Sequence, residues 1–292
     1  MPFWKTLLLS IYYYGSCPYR WRANRLAMAE GRMPVVVLFY HRIADAGANS
    51  WTTSNRAFAR QIAWLESHFE LVSLETAQRR MRLCHNSHPC VSITFDDGYA
   101  DNCHQAIPLL IKKSIPCTYF VTVENVLRGK PFAHDLAQGN RLAPNTVEQL
   151  RAMAAAGVEI GSHCYHHIDL GQVVGRKQLH EEVVCAGREL QAAIGQPVRY
   201  LAFPFGQLEN LNPEVFLLAR EAGYRAVCSA YGGYNFPGDD PFHLERIHVD
   251  NMIRLKNRAT IDPRKLHTMR FQYDPAVCES ALEKDSPQVI CR

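Results

Sequence analysis

Two adjacent carboxylates, Asp96 and Asp97, stand at the end of Val91-Ser-Ile-Thr-Phe95, and Gly98 follows them. Adjacent side chains on extended backbone point apart, so the two acids suit different jobs: one holds a cation while the other takes a proton. An Asp-Asp-Gly turn by itself is commonplace. Further along, His163 and His167 lie four residues apart. If that stretch turns helically, both rings face the same way and can grip one ion. With Asp97 as the third donor, two neutral imidazoles and a carboxylate form a site with open positions. This donor set suits one divalent ion, zinc first, with cobalt, nickel or manganese as the other candidates. His166 lies between the two and points elsewhere, as a structural or rim residue. Asp169 is placed to orient one of the ligating rings.

These residues need a scaffold that brings them together. Pro34–Tyr40 is a continuous apolar run, the pattern of a strand buried on both faces, and it delivers His41 and Arg42 at its end. Phe58, Ile62, Leu65 and Phe69 recur at helical spacing, and 71–74 reads as a short strand. Strand 91–95 follows, then a helix beginning at Asp101, strand 117–123, and a long loop over 124–144 suited to substrate contacts. A capping-box-like start at Asn145-Thr-Val-Glu148 opens a helix that Gly157 stops. Strand 158–160, a helix over 177–194 closing at Gly195, and strand 198–203 come next. A helix from Asn212-Pro213 to Gly223 and strands 224–229 and 245–249 complete the series. Strands and helices alternate seven or eight times without a phosphate-binding glycine turn. That predicts an α/β fold, a distorted parallel (β/α) barrel in one domain spanning 34–258. In such a barrel the ends carrying His41, Asp96, Asp97, His163, His167, Pro204–Phe205 and His248 converge on one mouth.

The bulk numbers set limits. The 292 residues are 47% hydrophobic and 21% charged, with a net charge of +4, which is too mild to argue for nucleic acid. None of the ten cysteines forms a Cys-x-x-Cys pair, and they read as buried thiols, which leans towards a reducing compartment and a cytoplasmic location. Residues 1–33 read as a packed N-terminal extension. Their apolar run Leu7–Tyr14 is too short to span a bilayer, and association with a membrane surface is an alternative. Residues 259–292 read as a loosely ordered tail.

Thr94-Phe-Asp-Asp-Gly98, His163-x-x-x-His167 and Phe203-Pro-Phe-Gly206, in that order, resemble the NodB-type polysaccharide deacetylases, carbohydrate esterase family four. The similarity covers roughly residues 34–250, and Tyr40-His41-Arg42 and 58–74 also resemble the leading segment of many bacterial members. The resemblance implies that Asp96 is the general base and that Asp97, His163 and His167 hold the metal. It implies that Pro204, Phe205 and Gly206 form a groove wall, with the Phe205 N–H at the oxyanion. His248 would protonate the departing amine, titrating near neutral pH. His41 and Arg246 count among the substrate-facing residues. Two family features are absent: the arginine before Pro-Tyr that orients the base, here Ala202 or Phe203, and the Asp-Trp of the fourth motif. Arg246 or Arg42 is the replacement for that arginine. The implied activity is removal of N-acetyl groups from amino sugars of a polysaccharide or glycoconjugate. The alternatives are a hydrolase of a small or cyclic amide, or a carbohydrate-binding module with a decayed site. The oligomeric state is left open.

Overall fold

The computed structural model describes residues 3–263 and 269–273. Eight parallel strands make up its centre: Val35–Tyr40, Cys90–Phe95, Cys117–Val121, Glu159–Ser162, Tyr200–Ala202, Ala226–Cys228, His243–Leu244 and Arg246–His248. Each pairs in parallel with its neighbours in a path that begins at His243–Leu244 and ends at Arg246–His248. These two end strands are separated by Glu245 alone, so the chain itself carries the last step around an almost closed barrel. The predicted parallel (β/α) barrel is the fold found.

Alternation along the strands decides what faces inward. Val36, Leu38 and Tyr40 pack outward with Phe58, Ile62 and Leu65 of the helix Asn55–His68. Val35 and Val37 belong instead to a cluster with Phe120, Tyr200, Ala202, Ala226, Cys228 and Leu244, and Phe39 continues that parity. On the next strand Val91, Ile93 and Phe95 lie in the outer layer, which leaves Ser92, Thr94 and Asp96 inward. Ile247 and Val249 are also outer, so Arg246 and His248 face in. The register sets Phe39 level with both Thr94 and His248, so the polar residues gather on adjacent rungs.

Several element boundaries depart from expectation. Residues 71–74 are not one strand: Glu70–Leu71 pairs with Cys90–Val91, and Ser73 caps a helix over Leu74–Arg82. The capping box begins one residue later than predicted, with Thr146 and Gln149 as partners. Asp101 lies in a 3₁₀ turn, and the following α-helix is Ala106–Lys112. The 124–144 loop contains helical turns at Val123–Arg128 and Ala133–Leu136. The long helix from Arg176 to Ile194 is interrupted by a π-helical turn, Glu181–Cys185.

Residues before the barrel form two helices, Phe3–Gly15 and Cys17–Ala29, and the first packs on the helix Met252–Ala259. No helix among the described residues is long and apolar enough to cross a membrane. Cys90, Cys117, Cys164 and Cys228 are buried free thiols, whereas Cys185 is disulfide-bonded. Most of the predicted C-terminal tail lies outside the described residues.

Candidate active site

A cavity of about 720 Å³ opens at the carboxyl ends of the strands. His41, Asp96, Asp97, His163, His167, Phe205 and His248 all line it, so the convergence expected of a barrel mouth is realised.

Asp96 continues the inward parity of its strand. Asp97 by alternation would point away, but its backbone is left-handed (φ +71°), which turns the chain at the strand end. Gly98 continues the turn at φ +95°, and a Cβ there would come within 3.0 Å of a Val121 methyl. Only glycine fits that position without displacing the neighbouring strand. The two carboxylates consequently end in one cavity with different partners.

Asp97 Oδ1 lies 3.5 Å from His163 Nε2 and 3.3 Å from His167 Nε2. It is buried and accepts no hydrogen bond. His163 Nδ1 sits 2.9 Å from the Ala202 carbonyl, to which it donates, so the ring presents an unprotonated Nε2 towards Asp97. Three donor atoms within 4.8 Å of one another, one of them an orphaned carboxylate oxygen, fit a divalent cation. Burial pushes the His163 ring down to about 4. Burial acts to lower His167 as well, but the Asp97 carboxylate outweighs it and holds that ring above its usual value. For Asp97 burial pushes upward, yet the facing histidines keep it well below the ordinary carboxylate range.

The helical turn expected between the two histidines is not there. Residues 163–169 are irregular, and Cys164 (φ +62°) and His167 (φ +58°) take left-handed backbone to fold the ligands together. The support comes from Glu182 on the π-helical turn. Its Oε2 accepts from the N–H groups of Tyr165 and His166, both at 3.0 Å, and its Oε1 meets His166 Nδ1 at 2.5 Å. His166 is thereby the rim residue expected. Asp169 does not orient a ligand: it accepts from the Gly171 N–H and from Asn210 Nδ2, capping a 3₁₀ turn.

Asp96 has a different environment. Arg246, fully buried, grips it with two bonds, Nη1 to Oδ1 at 2.6 Å and Nη2 to Oδ2 at 2.9 Å. The same guanidinium is held by Thr94 Oγ1 and the Ser229 carbonyl and packs on the Phe39 ring. Burial pushes Asp96 up, but Arg246 first, with His163 and His41, brings its carboxyl below the usual range. Arg246 therefore orients the acid and does not face substrate, while Arg42 is committed to Asp101 at 2.7 Å and to loop carbonyls.

His248, His41 and Trp51 form the opposite wall, with the His41 and Trp51 rings 4.6 Å apart and those of His248 and Trp51 5.5 Å apart. Burial, with His41 beside it, lowers His248 to about 4, so the near-neutral titration expected of that residue is not found. Phe205 is 56% exposed, with its ring 5.2 Å from that of His167. Pro204 and Gly206 shape its turn, and a Cβ at Gly206 would meet Ala230 at 2.8 Å. Three contributors were not foreseen: Trp51, Glu182 and His134. His134 lines the cavity, bonds Tyr99 Oη at 2.8 Å and sits 5.6 Å, ring to ring, from His167.

The sequence profile described as polysaccharide deacetylase matches residues 85–227. YxkH of Bacillus subtilis (strain 168), by name placed among polysaccharide deacetylases, is 27% identical over 216 residues, 73% of this chain and 70% of that one. A chitooligosaccharide deacetylase of Bradyrhizobium sp. (strain ANU 289) is 29% identical over 200 residues, 67% of this chain and 78% of that one. Among solved structures, IcaB from Ammonifex degensii superposes with a TM-score of 0.62 at 27% identity, covering 74% of this chain and 92% of that one. The motifs, the barrel and these matches agree: residues 85–227 match the polysaccharide deacetylase family, and the chain is similar to its members, hydrolases that act on carbon–nitrogen bonds.

Proposed function

We propose that this chain is a metal-dependent deacetylase that removes N-acetyl groups from amino sugars of a polysaccharide or glycoconjugate, releasing acetate and leaving a free amine. The observation that carries the reading is the pairing of two adjacent acids with two different partners. Asp97 faces His163 and His167 with an unbonded oxygen, while Asp96 is clamped by Arg246 beside them.

Asp97, His163 and His167 would hold the ion, zinc being the first candidate. When bound, a divalent ion supplies acidification of water and polarisation of the acetyl carbonyl. The remaining steps belong to the chain. Asp96 stays ionised because Arg246 offsets its burial, so it accepts a proton from the attacking water. Arg246 leaves Asp96 little rotational freedom, which fixes the direction of that transfer. The backbone N–H of Phe205, in the turn at the cavity wall, is assigned to the developing oxyanion. His248 is neutral in the free protein, so the proton it donates to the departing amine is the one that Asp96 takes from the attacking water and passes on. Trp51, Phe39 and Phe205 give the cavity apolar walls against which a sugar ring fits.

The test is acetate release by zinc-reconstituted protein, with an N-acetylglucosamine oligomer and a small cyclic amide offered side by side. Release from the oligomer alone supports the proposal. Turnover of the cyclic amide alone would reassign the substrate class, and turnover of neither would remove the catalytic reading.

A further inference from the structure

The two N-terminal helices carry their apolar residues on the wrong side for a helix that merely packs on a barrel. On Phe3–Gly15, the side chains Trp4, Leu7, Leu8, Ile11 and Tyr14 recur at steps of three and four, forming one stripe. That stripe faces solvent. With Tyr19, Trp21, Leu26 and Met28 of Cys17–Ala29, these residues are each between 40% and 64% exposed.

The opposite side is fixed to the barrel by polar bonds. Tyr12 Oη donates to Asp262, Asn257 Nδ2 donates to the Leu9 carbonyl, and buried Arg20 reaches Asn257, Thr260 and the Ile261 carbonyl. Those bonds set the rotation of the pair, so the stripe has no inward alternative. Charge shows what would cover it. Residues 1–29 contain no Asp or Glu. Lys5, Arg22 and Arg25 are all exposed, and Lys5 and Arg25 lie over the rings of Trp4 and Trp21. Exposed tryptophan and tyrosine flanked by cations, with no acid among them, match the boundary of an anionic bilayer. A helix of 13 residues is about 20 Å long, short of a roughly 30 Å hydrocarbon core, so it lies on the surface and does not span it.

We propose that the N-terminal helix pair is an interfacial anchor that binds anionic phospholipid surfaces through this stripe and its cations, holding the flank of the barrel against the membrane. The proposal goes beyond the deacetylase reading and does not depend on it.

The test uses the full chain with vesicles of phosphatidylcholine alone and of phosphatidylcholine with about 30% phosphatidylglycerol, read by co-sedimentation. Binding to the anionic vesicles, weak binding to the neutral ones, and release by high salt are expected. Leu8→Ser with Ile11→Ser should weaken binding at least about tenfold, since two buried side chains are lost from the lipid contact. Arg22→Gln with Arg25→Gln should weaken it about twenty-fivefold, at roughly fivefold per cation. Both double variants should melt within a degree or two of the parent, which separates loss of anchoring from loss of fold. Equal binding by parent and Leu8/Ile11 variant would overturn the proposal. So would absence of vesicle binding together with a concentration-dependent dimer that the Leu8/Ile11 variant abolishes, because a second copy would then cover the stripe.

Discussion

Replacing Arg246 by methionine keeps much of the side-chain volume and deletes the charge that faces Asp96. The pair is almost wholly buried, with side-chain exposures of 0% and 4%. Breaking a buried pair by removing one member costs about 3–5 kcal/mol, because the remaining charge is left without a partner. Opposite unit charges about 4 Å apart at an effective dielectric of about 20 attract by roughly 4 kcal/mol, so the loss is large beside an ordinary surface pair. In the native protein Asp96 sits below the usual carboxylate range although burial pushes it upward. Without Arg246 burial prevails, and the acid moves above that range. The sign follows. A base that must be ionised stops working below its own pKa, so the acidic limb of kcat/KM should move to higher pH in Arg246→Met. Denaturant unfolding should show a loss of a few kcal/mol. The pair Asp96→Asn with Arg246→Met should lose less than the sum of the single changes, since neither charge is then stranded. An acidic limb unmoved in Arg246→Met, with the protein folded, would refute the orienting role of Arg246.

Further expectations concern other parts of the site. Asp96→Asn should lower turnover at least about a hundredfold while metal content, measured by atomic emission, stays that of the parent; loss of the ion would mean that Asp96 and Asp97 exchange roles. Glu182→Ala strands two backbone N–H groups and should cost roughly 2–4 kcal/mol. The same variant should weaken ion affinity about ten- to a hundredfold by calorimetric titration, and unaltered affinity would show that the 163–167 loop holds itself. His243, buried against Ser229 Oγ, is held down to about 3 by burial, with Arg270 adding to it. Its unfolded form takes up a proton first as pH falls, so the stability it contributes is complete above about 6.5 and drains as pH approaches 3, by at most about 1.4 kcal/mol per unit. His243→Gln should flatten the stability-against-pH slope below 6.5 by one proton's worth; an unchanged slope would contradict the assignment. His248→Ala should slow amides more than activated esters, whose leaving groups need no proton, and equal losses would reduce His248 to a wall residue.

Strand parity made much of this site legible from sequence. Once 91–95 is a strand, the inward side of Ser92 and Thr94 carries Asp96 into the mouth, and the same logic serves Phe39 with His41 and Arg246 with His248. The apolar runs and the glycine stops outlined the barrel because buried parallel strands and left-handed helix ends have few other solutions. What stayed hidden depended on conformations that sequence does not announce. Left-handed backbone at Asp97, Cys164, His167 and Phe205 gives no glycine signal, so the i, i+4 spacing of the histidines suggests a helical turn where the chain makes an irregular one. Glu182 acts on residues 16 and 17 positions away through a π-helical turn that apolar periodicity reads as plain helix. Choosing between Arg42 and Arg246 required knowing that Asp101 had already taken the former. Trp51 and His134 sit in loop segments, where position follows from packing and not from period.

The central claim is that one divalent ion, held by Asp97, His163 and His167, enables Asp96 to hydrolyse an N-acetyl group. The most direct measurement is acetate release from an N-acetylglucosamine oligomer while metal-stripped protein is titrated with zinc, beside the variant His163→Ala with His167→Ala. The parent should gain activity linearly and level off at about one ion per chain, while the folded double variant stays inactive throughout. Activity in the parent that ignores zinc, or a double variant that reaches the same plateau, would contradict it.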